Sequence, residues 1–173
     1  MAESLKKLSA AAAYQVEIKH SRFIVNAAKV ENLSQTLEFF EAVSDPNANH
    51  NCWAYRIGAS YRFADDSEPA STAGRPILSA IDGQYFDLTM VVVTRYFGGT
   101  KLGVGSLIRA YGGSTASCLQ SAASEEIIAM RQGIIKAPFT HTGLIHKLLA
   151  DHNASRLRAS LSIDYILCVI RSR

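Results

Sequence analysis

Residues 88–111 read LTMVVVTRYFGGTKLGVGSLIRAY, and this stretch decides the fold of the 173-residue chain. Its first part, Leu88–Phe97, is apolar and β-branched, which predicts a strand. The unbroken run Met90–Val93 indicates burial on both faces of a sheet. The glycine-rich segment Gly98–Gly105 follows, and a helix is predicted from about Ser106 to Ala123. The stretch is therefore a strand, a glycine-rich turn and a helix.

Composition excludes several classes of protein. The chain is 48% hydrophobic and 19% charged, which is too apolar for a disordered protein. No stretch approaches the roughly 20 apolar residues that cross a bilayer, so we expect no membrane partner. The three cysteines are far apart and form no CxxC pair, which argues against structural zinc and for a reducing compartment. Residues 1–14 are expected to be a frayed helix rather than a leader sequence, which predicts a cytoplasmic protein.

The elements around this stretch predict a mixed α+β fold in two domains, residues 1–123 and residues 124–173. In the first domain we expect two further strands, a hairpin and two helices, at Val16–Ile18, Phe23–Val30, Cys52–Gly58 with Ser60–Ala64, residues 31–43 and Pro76–Ile81. In the second domain the pattern restarts as strand, helix and strand, at Glu126–Phe139, Thr142–His152 and Leu157–Ile170. A lone β-α-β unit cannot bury its own sheet face, so this domain is predicted to be incomplete.

The glycine-rich turn has the chemistry of an anion site. No acidic residue lies between Leu88 and Ser124, and a strand that enters a helix through glycines leaves backbone N–H groups free to meet an anion. It matches neither a phosphate-binding Walker A loop nor a dinucleotide-binding fingerprint. The alternative is a tight strand–helix connection with solvated bases. The predicted anion-binding residues are Arg95, Tyr96, Gly98, Gly99, Lys101, Gly103, Gly105, Ser106 and Arg109.

A second segment, DDSEPASTAGRP at residues 65–76, has three carboxylates within four residues. Such carboxylates repel one another unless they are solvated, paired with bases or bound to a cation. Asp65, Asp66 and Glu68 are therefore candidate ligands for Mg²⁺ or Ca²⁺ and candidate catalytic groups, with His50 as a proton shuttle. The alternative is a solvated turn whose carboxylates cap a helix and pair with arginines. We predict no cofactor, and we expect Cys52 to be a packing residue.

Together these segments resemble the YigZ/IMPACT family over roughly residues 20–120. The resemblance rests on SRF at residues 21–23, HNCWAYR at residues 50–56, the acidic loop, and VVTRYFGG-x-KLG with RAY at residues 92–111. Three positions depart from the family pattern, since it has glycine, glycine and histidine where this chain has Ser67, Ser106 and Asn51. Ser67 lies in the acidic loop, where it allows the backbone fewer conformations than the family's glycine does.

The resemblance implies a fold and a cellular context. It implies an N-terminal domain similar to domain IV of elongation factor G, then a ferredoxin-like domain, in a bacterial-type layout. Eukaryotic members of the family modulate translation initiation through a stress-kinase activator. The partners it implies are therefore RNA, the ribosome or translation factors, and the chain has no DNA-specific motif.

Three functions remain open from the sequence. The first is a non-enzymatic, translation-associated binding module that holds RNA, the ribosome or another polyanion through the glycine-rich turn. The second is an enzyme for a small anionic substrate, which requires the acidic loop, His50 and Arg95 to converge on one site. The third is a protein–protein adaptor in which both segments only build the fold.

Overall fold

The computed structural model describes residues 4–128, 131–152, 154–161 and 165–172. It divides into two compact units, Met1–Ile127 and Ile128–Arg173. The mixed α/β architecture predicted from the sequence is confirmed by the element order.

The first unit is built from strands and helices in the order β-β-β-α-β-β-α-β-α-β. Its strands are β1 (Lys6–Leu8), β2 (Ala12–Ile18), β3 (Ser21–Lys29), β4 (His50–Ile57), β5 (Ser60–Ala64), β6 (Thr89–Tyr96) and β7 (Ser124–Glu126). Its helices are α1 (Leu33–Val43), α2 (Gly74–Gly83) and α3 (Val104–Ser121). Because β7 pairs with β1, the unit ends after Ile127 rather than after Ala123.

Strand β6 is the centre of the main sheet. The sheet has the order β2-β3-β6-β4-β5, and all its neighbours are antiparallel. Every residue of β6 from Thr89 to Arg95 is buried, which confirms the prediction of burial on both faces. Helices α2 and α3 cover one face around Ile77 and Leu107, and α1 covers the other around Met90.

The expected helix at the N-terminus is wrong. Residues Ala12, Tyr14, Val16 and Ile18 alternate with exposed residues along β2 and pack against the main core. This period of two places one face of the segment on the sheet, and the gain in burial outweighs the helical preference of its alanines.

The second unit is small. It contains β8 (Arg131–Pro138), a 3-10 turn at Phe139–His141, α4 (Thr142–Asp151), β9 (Ser155–Leu161) and β10 (Tyr165–Ser172). The strand predicted at Leu157–Ile170 is two strands, and the antiparallel sheet has the order β8-β10-β9. The unit is therefore β-α-β-β rather than β-α-β. Ile145 and Leu149 of α4 form its small core.

No helix among the described residues combines the length and the apolar character needed to cross a membrane.

Candidate functional site

The acidic loop, residues 65–75, turns its first carboxylate onto its own backbone. Asp65 Oδ1 accepts hydrogen bonds from the N–H groups of Ala73 and Gly74 at 3.1 and 2.8 Å, and Oδ2 accepts one from Ser71 at 2.8 Å. These donors lie at the start of α2, where Ala73 has no capping side chain. Asp65 therefore caps α2, as one of the two sequence alternatives had it.

The next residue holds the start of β4. Asp66 Oδ2 accepts the N–H of Asn51 at 2.6 Å, and the Asp66 carbonyl oxygen lies 2.8 Å from His50 Nδ1. Because a carbonyl oxygen can only accept, Nδ1 is the donor in this hydrogen bond. The other ring nitrogen, Nε2, is 3.7 Å from Glu68 Oε1.

Glu68 is the third carboxylate of the loop, and it points into the protein. Its Oε1 accepts hydrogen bonds from Arg95 Nη1 at 2.5 Å and from the Tyr111 hydroxyl at 2.8 Å, in addition to facing His50. The side chains of Glu68 and Arg95 are both about 95% buried, at 4% and 5% exposure. A buried charge requires such a partner, because desolvation is otherwise too costly.

Arg95, which the sequence predicts to bind an anion, therefore has a buried carboxylate as its partner. The segment around Arg95 has no acid in sequence, but the acidic loop brings Glu68 to it in space. Arg95 Nη2 also donates to Ser21 Oγ at 3.3 Å, while its buried Nε has no partner in the described part of the chain. On the sheet, Phe23 and His50 are its neighbours on β3 and β4.

A buried thiol completes this cluster. Cys52 Sγ contacts the Asp65 carbonyl oxygen at 3.0 Å and the Tyr111 hydroxyl at 3.4 Å. Burial raises the pKa of Cys52 to about 12, and burial also raises the pKa of Tyr111. At neutral pH the thiol is protonated and unreactive, so Cys52 packs and does not act as a nucleophile.

The glycine-rich turn presents its cations to solvent. Lys101 and Arg109 are exposed, and neither has an ion pair with any described residue. Arg109 Nη2 lies 3.3 Å from Ser106 Oγ. Helix α3 begins after Gly103, which supplies no capping side chain, so Ser106 lies inside the first turn. The N–H groups of Ser106 and Leu107 donate to the Gly103 carbonyl oxygen at 2.9 and 3.0 Å, so only the first N–H groups of the helix have no intrahelical acceptor.

Two glycines shape this turn. The N–H of Gly98 donates to Ser21 Oγ at 3.3 Å, and a Cβ at Gly98 would overlap the His20 carbonyl group. Gly99 has a φ of 86°, in the left-handed region that favours glycine. The turn therefore packs directly on the strand connection before β3, which brings Ser21 under it.

Two aromatic residues, the half-buried Tyr96 and the exposed Phe97, lie at the start of the turn. The Arg22 guanidinium stacks on the Tyr96 ring at 4.4 Å, and the Tyr96 hydroxyl donates to Asp45. This hydrogen bond holds the pKa of Asp45 below its usual value and raises the pKa of Tyr96. Phe97 is 44% exposed.

The structure thus sorts the predicted residues into two groups. His50, Glu68 and Arg95 converge, while Lys101 and Arg109 stay outside this cluster. Sequence reasoning missed Ser21 and Tyr111, which lie 74 positions before and 43 positions after their respective partners. In the described part of the chain no group of three or more His, Cys, Asp or Glu residues is placed to hold a metal ion.

Comparison with known proteins identifies this architecture. The model of the Impact N-terminal domain matches residues 19–119, a range that includes both loops. The chain belongs to the IMPACT family. The family predicted from the sequence motifs is thereby confirmed.

Relatives extend this likeness beyond the domain. The IMPACT family member in the pol 5′ region of Thermus thermophilus is 45% identical over 132 residues, which cover 76% of this chain and 73% of the relative. The IMPACT family member YigZ of Escherichia coli is 34% identical over 142 residues, covering 78% and 70%. A crystal structure of a hypothetical protein aligns with 100% of this chain and 87% of its own, with a TM-score of 0.71 and 29% identity.

Proposed function

We propose that this IMPACT-family protein is a non-enzymatic, translation-associated binding module that holds RNA backbone at its glycine-rich turn. Membership of the family fits a role associated with translation. The proposal goes further, since it assigns the class of ligand and the surface that binds it. In this proposal exposed residues contact the ligand directly, and the buried Arg95 does not.

One observation supports this proposal most. Lys101 and Arg109 lie on either side of the α3 start, exposed and without ion pairs among the described residues, whereas the carboxylates of the neighbouring loop are used by its own backbone and by Arg95. Cations without ion pairs beside the first N–H groups of a helix are donors of the kind that phosphate oxygens accept from. No acid within the α3 sequence opposes them.

The aromatic side chain of Phe97 adds a second contact. Its exposed ring lies 5.7 Å from the Arg95 guanidinium carbon, so the buried arginine supports the ring from beneath. A nucleic acid base can stack on such a ring without regard to sequence. We therefore assign Arg95 a positioning role and Phe97 a stacking role.

A salt titration tests the proposal. Binding of fluorescent oligouridine RNA is measured by anisotropy between about 50 and 200 mM salt, where counterion release makes phosphate contacts visible. Removing two phosphate contacts in Lys101→Ala/Arg109→Ala lowers the salt slope by about 1.4, because each contact with a single strand contributes about 0.7, and it weakens binding at every salt concentration. The control, Arg62→Ala/Lys147→Ala, removes two other exposed cations at the same net charge and retains the wild-type slope. Equal slopes for wild type and the Lys101/Arg109 variant would contradict the proposal.

A second candidate, an enzyme for a small anionic substrate, is favoured by the convergence of His50, Glu68 and Arg95. His50 is the partly exposed member, at 20%, so it faces both solvent and the buried pair. A thermal-shift screen of small phosphates and carboxylates tests this candidate, since a ligand stabilises the folded state by mass action. A compound that raises the Tm of the wild type but not of His50→Gln would support the enzyme over the binding module.

A further inference from the structure

An unfilled apolar groove runs between α2 and α3, with a volume of about 580 Å³. Its floor consists of small or apolar residues from both helices: Pro76, Ala80, Ile108, Gly112, Gly113 and Ala116. Ile108 is 41% exposed within it. The groove lies on the outer side of the helix pair that covers the first face of the main sheet.

Gly113 has no packing reason to be glycine. A Cβ at this position would meet nothing within 4 Å, whereas one at Gly112 would only touch Pro76 at an ordinary 3.5 Å. Glycine inside a helix costs about 1 kcal/mol relative to alanine. The pair Gly112-Gly113 therefore weakens α3 and leaves the groove open, without improving the packing inside this chain.

A matching surface exists on α1. Leu33 and Leu37 are 57% and 65% exposed, and their spacing of four residues places them on one side of the helix. Glu38 and Glu41 are also exposed on this helix, and α1 contains no lysine or arginine. The outer surface of α1 is thus apolar and acidic.

The charge at the groove is basic and therefore opposite to the acidic surface of α1. Arg75 lines the groove and is exposed, with no hydrogen bond or ion pair to any residue that the structure describes. No carboxylate lines the described groove. An apolar groove with a basic rim fits an apolar helix with acidic neighbours, because desolvation of the leucines and charge complementarity then act together.

We propose that α1 of one molecule docks into the α2–α3 groove of a second copy of this chain. The two surfaces lie on opposite faces of the same sheet, since α1 packs on the face that α2 and α3 do not cover. One molecule cannot join its own two surfaces, so the contact is head-to-tail and can repeat along a row of molecules. Two leucines make a small interface, so the association is weak and depends on concentration.

A complementation experiment tests this contact by sedimentation velocity, from about 10 µM to about 1 mM, the range in which small interfaces dissociate. The variant Leu33→Ser/Leu37→Ser loses the apolar surface of α1 but keeps the groove. The variant Gly113→Leu fills the groove but keeps the helix, and its new side chain enters open space with a gain in helix propensity. Each variant alone is expected to stay at the monomer mass of 18.8 kDa. An equimolar mixture is expected to form a complex of twice that mass and nothing larger, because only one contact can form.

The controls separate this contact from other causes. Ala42→Leu adds a leucine at another exposed position of α1 and is expected to associate as the wild type does. Arg75→Glu is expected to weaken association, and Glu38→Lys in the partner molecule is expected to restore it. This exchange of charges leaves the floor of the groove unchanged. Circular dichroism melts show whether each variant is folded. A wild type that stays monomeric, a plateau at a symmetric dimer, or a mixture that stays at the monomer mass would each overturn the proposal.

Discussion

The acidic loop and the glycine-rich turn are both dense in charge, yet the fold uses their charges in opposite ways. In the acidic loop, Asp65 binds backbone N–H groups at the start of α2, and Glu68 is buried on Arg95. In the glycine-rich turn, Lys101 and Arg109 remain exposed and without ion pairs in the described chain. The difference teaches that a run of charges marks a ligand surface only where the fold does not already neutralise it. The four predictions that follow test this contrast.

Arg95→Ala is expected to have the largest effect on stability. The substitution leaves Glu68 buried without its cation, which costs about 3–5 kcal/mol of unfolding free energy. Urea denaturation measures the loss. The double variant Arg95→Met/Glu68→Leu removes both charges and should recover most of it, whereas Arg62→Ala on the exposed edge strand should change stability by no more than about 0.5 kcal/mol. If Arg95→Ala cost less than about 1 kcal/mol, the buried pair would not be what distinguishes the acidic loop.

Gly98→Ala is expected to have the second largest effect on stability, and it tests how the glycine-rich turn packs. The new Cβ overlaps the His20 carbonyl group, so backbone must move, at a cost of about 1–3 kcal/mol. Gly105→Ala is the matched control, because its Cβ only meets the mobile end of Arg109 and alanine favours the helix. Thermal melts measure both variants. A lower Tm for Gly105→Ala than for Gly98→Ala would show that the turn does not pack on the connection before β3.

Ser67→Gly and Gly99→Ala form a matched pair with opposite expected signs. Both positions have a left-handed backbone, with φ of 68° and 86°. Glycine relieves this strain at Ser67, and alanine introduces it at Gly99, each by about 1 kcal/mol. Chemical denaturation of both variants checks the signs. Equal signs would mean that side-chain contacts, rather than backbone strain, control one of the two loops.

Tyr96→Phe is expected to have the smallest effect, with a defined pH dependence. The Tyr96 hydroxyl holds the pKa of Asp45 below its unfolded value, so this contribution to stability is present above that unfolded pKa and is lost as pH falls through the folded pKa. The difference in Tm between wild type and Tyr96→Phe should therefore be greatest near neutral pH and vanish in acid. A difference that grows as pH falls would contradict this role of the Tyr96–Asp45 hydrogen bond.

The sequence predicts the elements of the first unit well, because they follow local rules. The β6 strand has an apolar run, the β4–β5 hairpin has a turn at Gly58, and Asn32 caps α1. Strand β1 and the first residues of β2 were not predicted as strand, and the residues of β1 gain their partners only when they pair with β7 at the far end of the unit.

The candidate site was predicted only in part. Its residue types and both loops were found, but the pairing of Glu68 with Arg95 depends on strand order, which places His50 and Arg95 side by side on β4 and β6. The two residues are far apart in the sequence, so the sequence alone does not show that they are neighbours. Tyr111 is buried in the core, and its hydroxyl also reaches Glu68 across 43 positions of sequence.

The central claim is that the cations of the glycine-rich turn are available to a polyanion, while Arg95 is committed to the fold. It is tested most directly by NMR, by titrating ¹⁵N-labelled protein with oligouridine RNA and following backbone amides together with arginine Nε–H signals. The account predicts the largest shifts at the amides of Gly99, Lys101 and Gly105 and a nearly unchanged Arg95 Nε–H. A dominant shift of Arg95 Nε–H with static amides in the turn would contradict it.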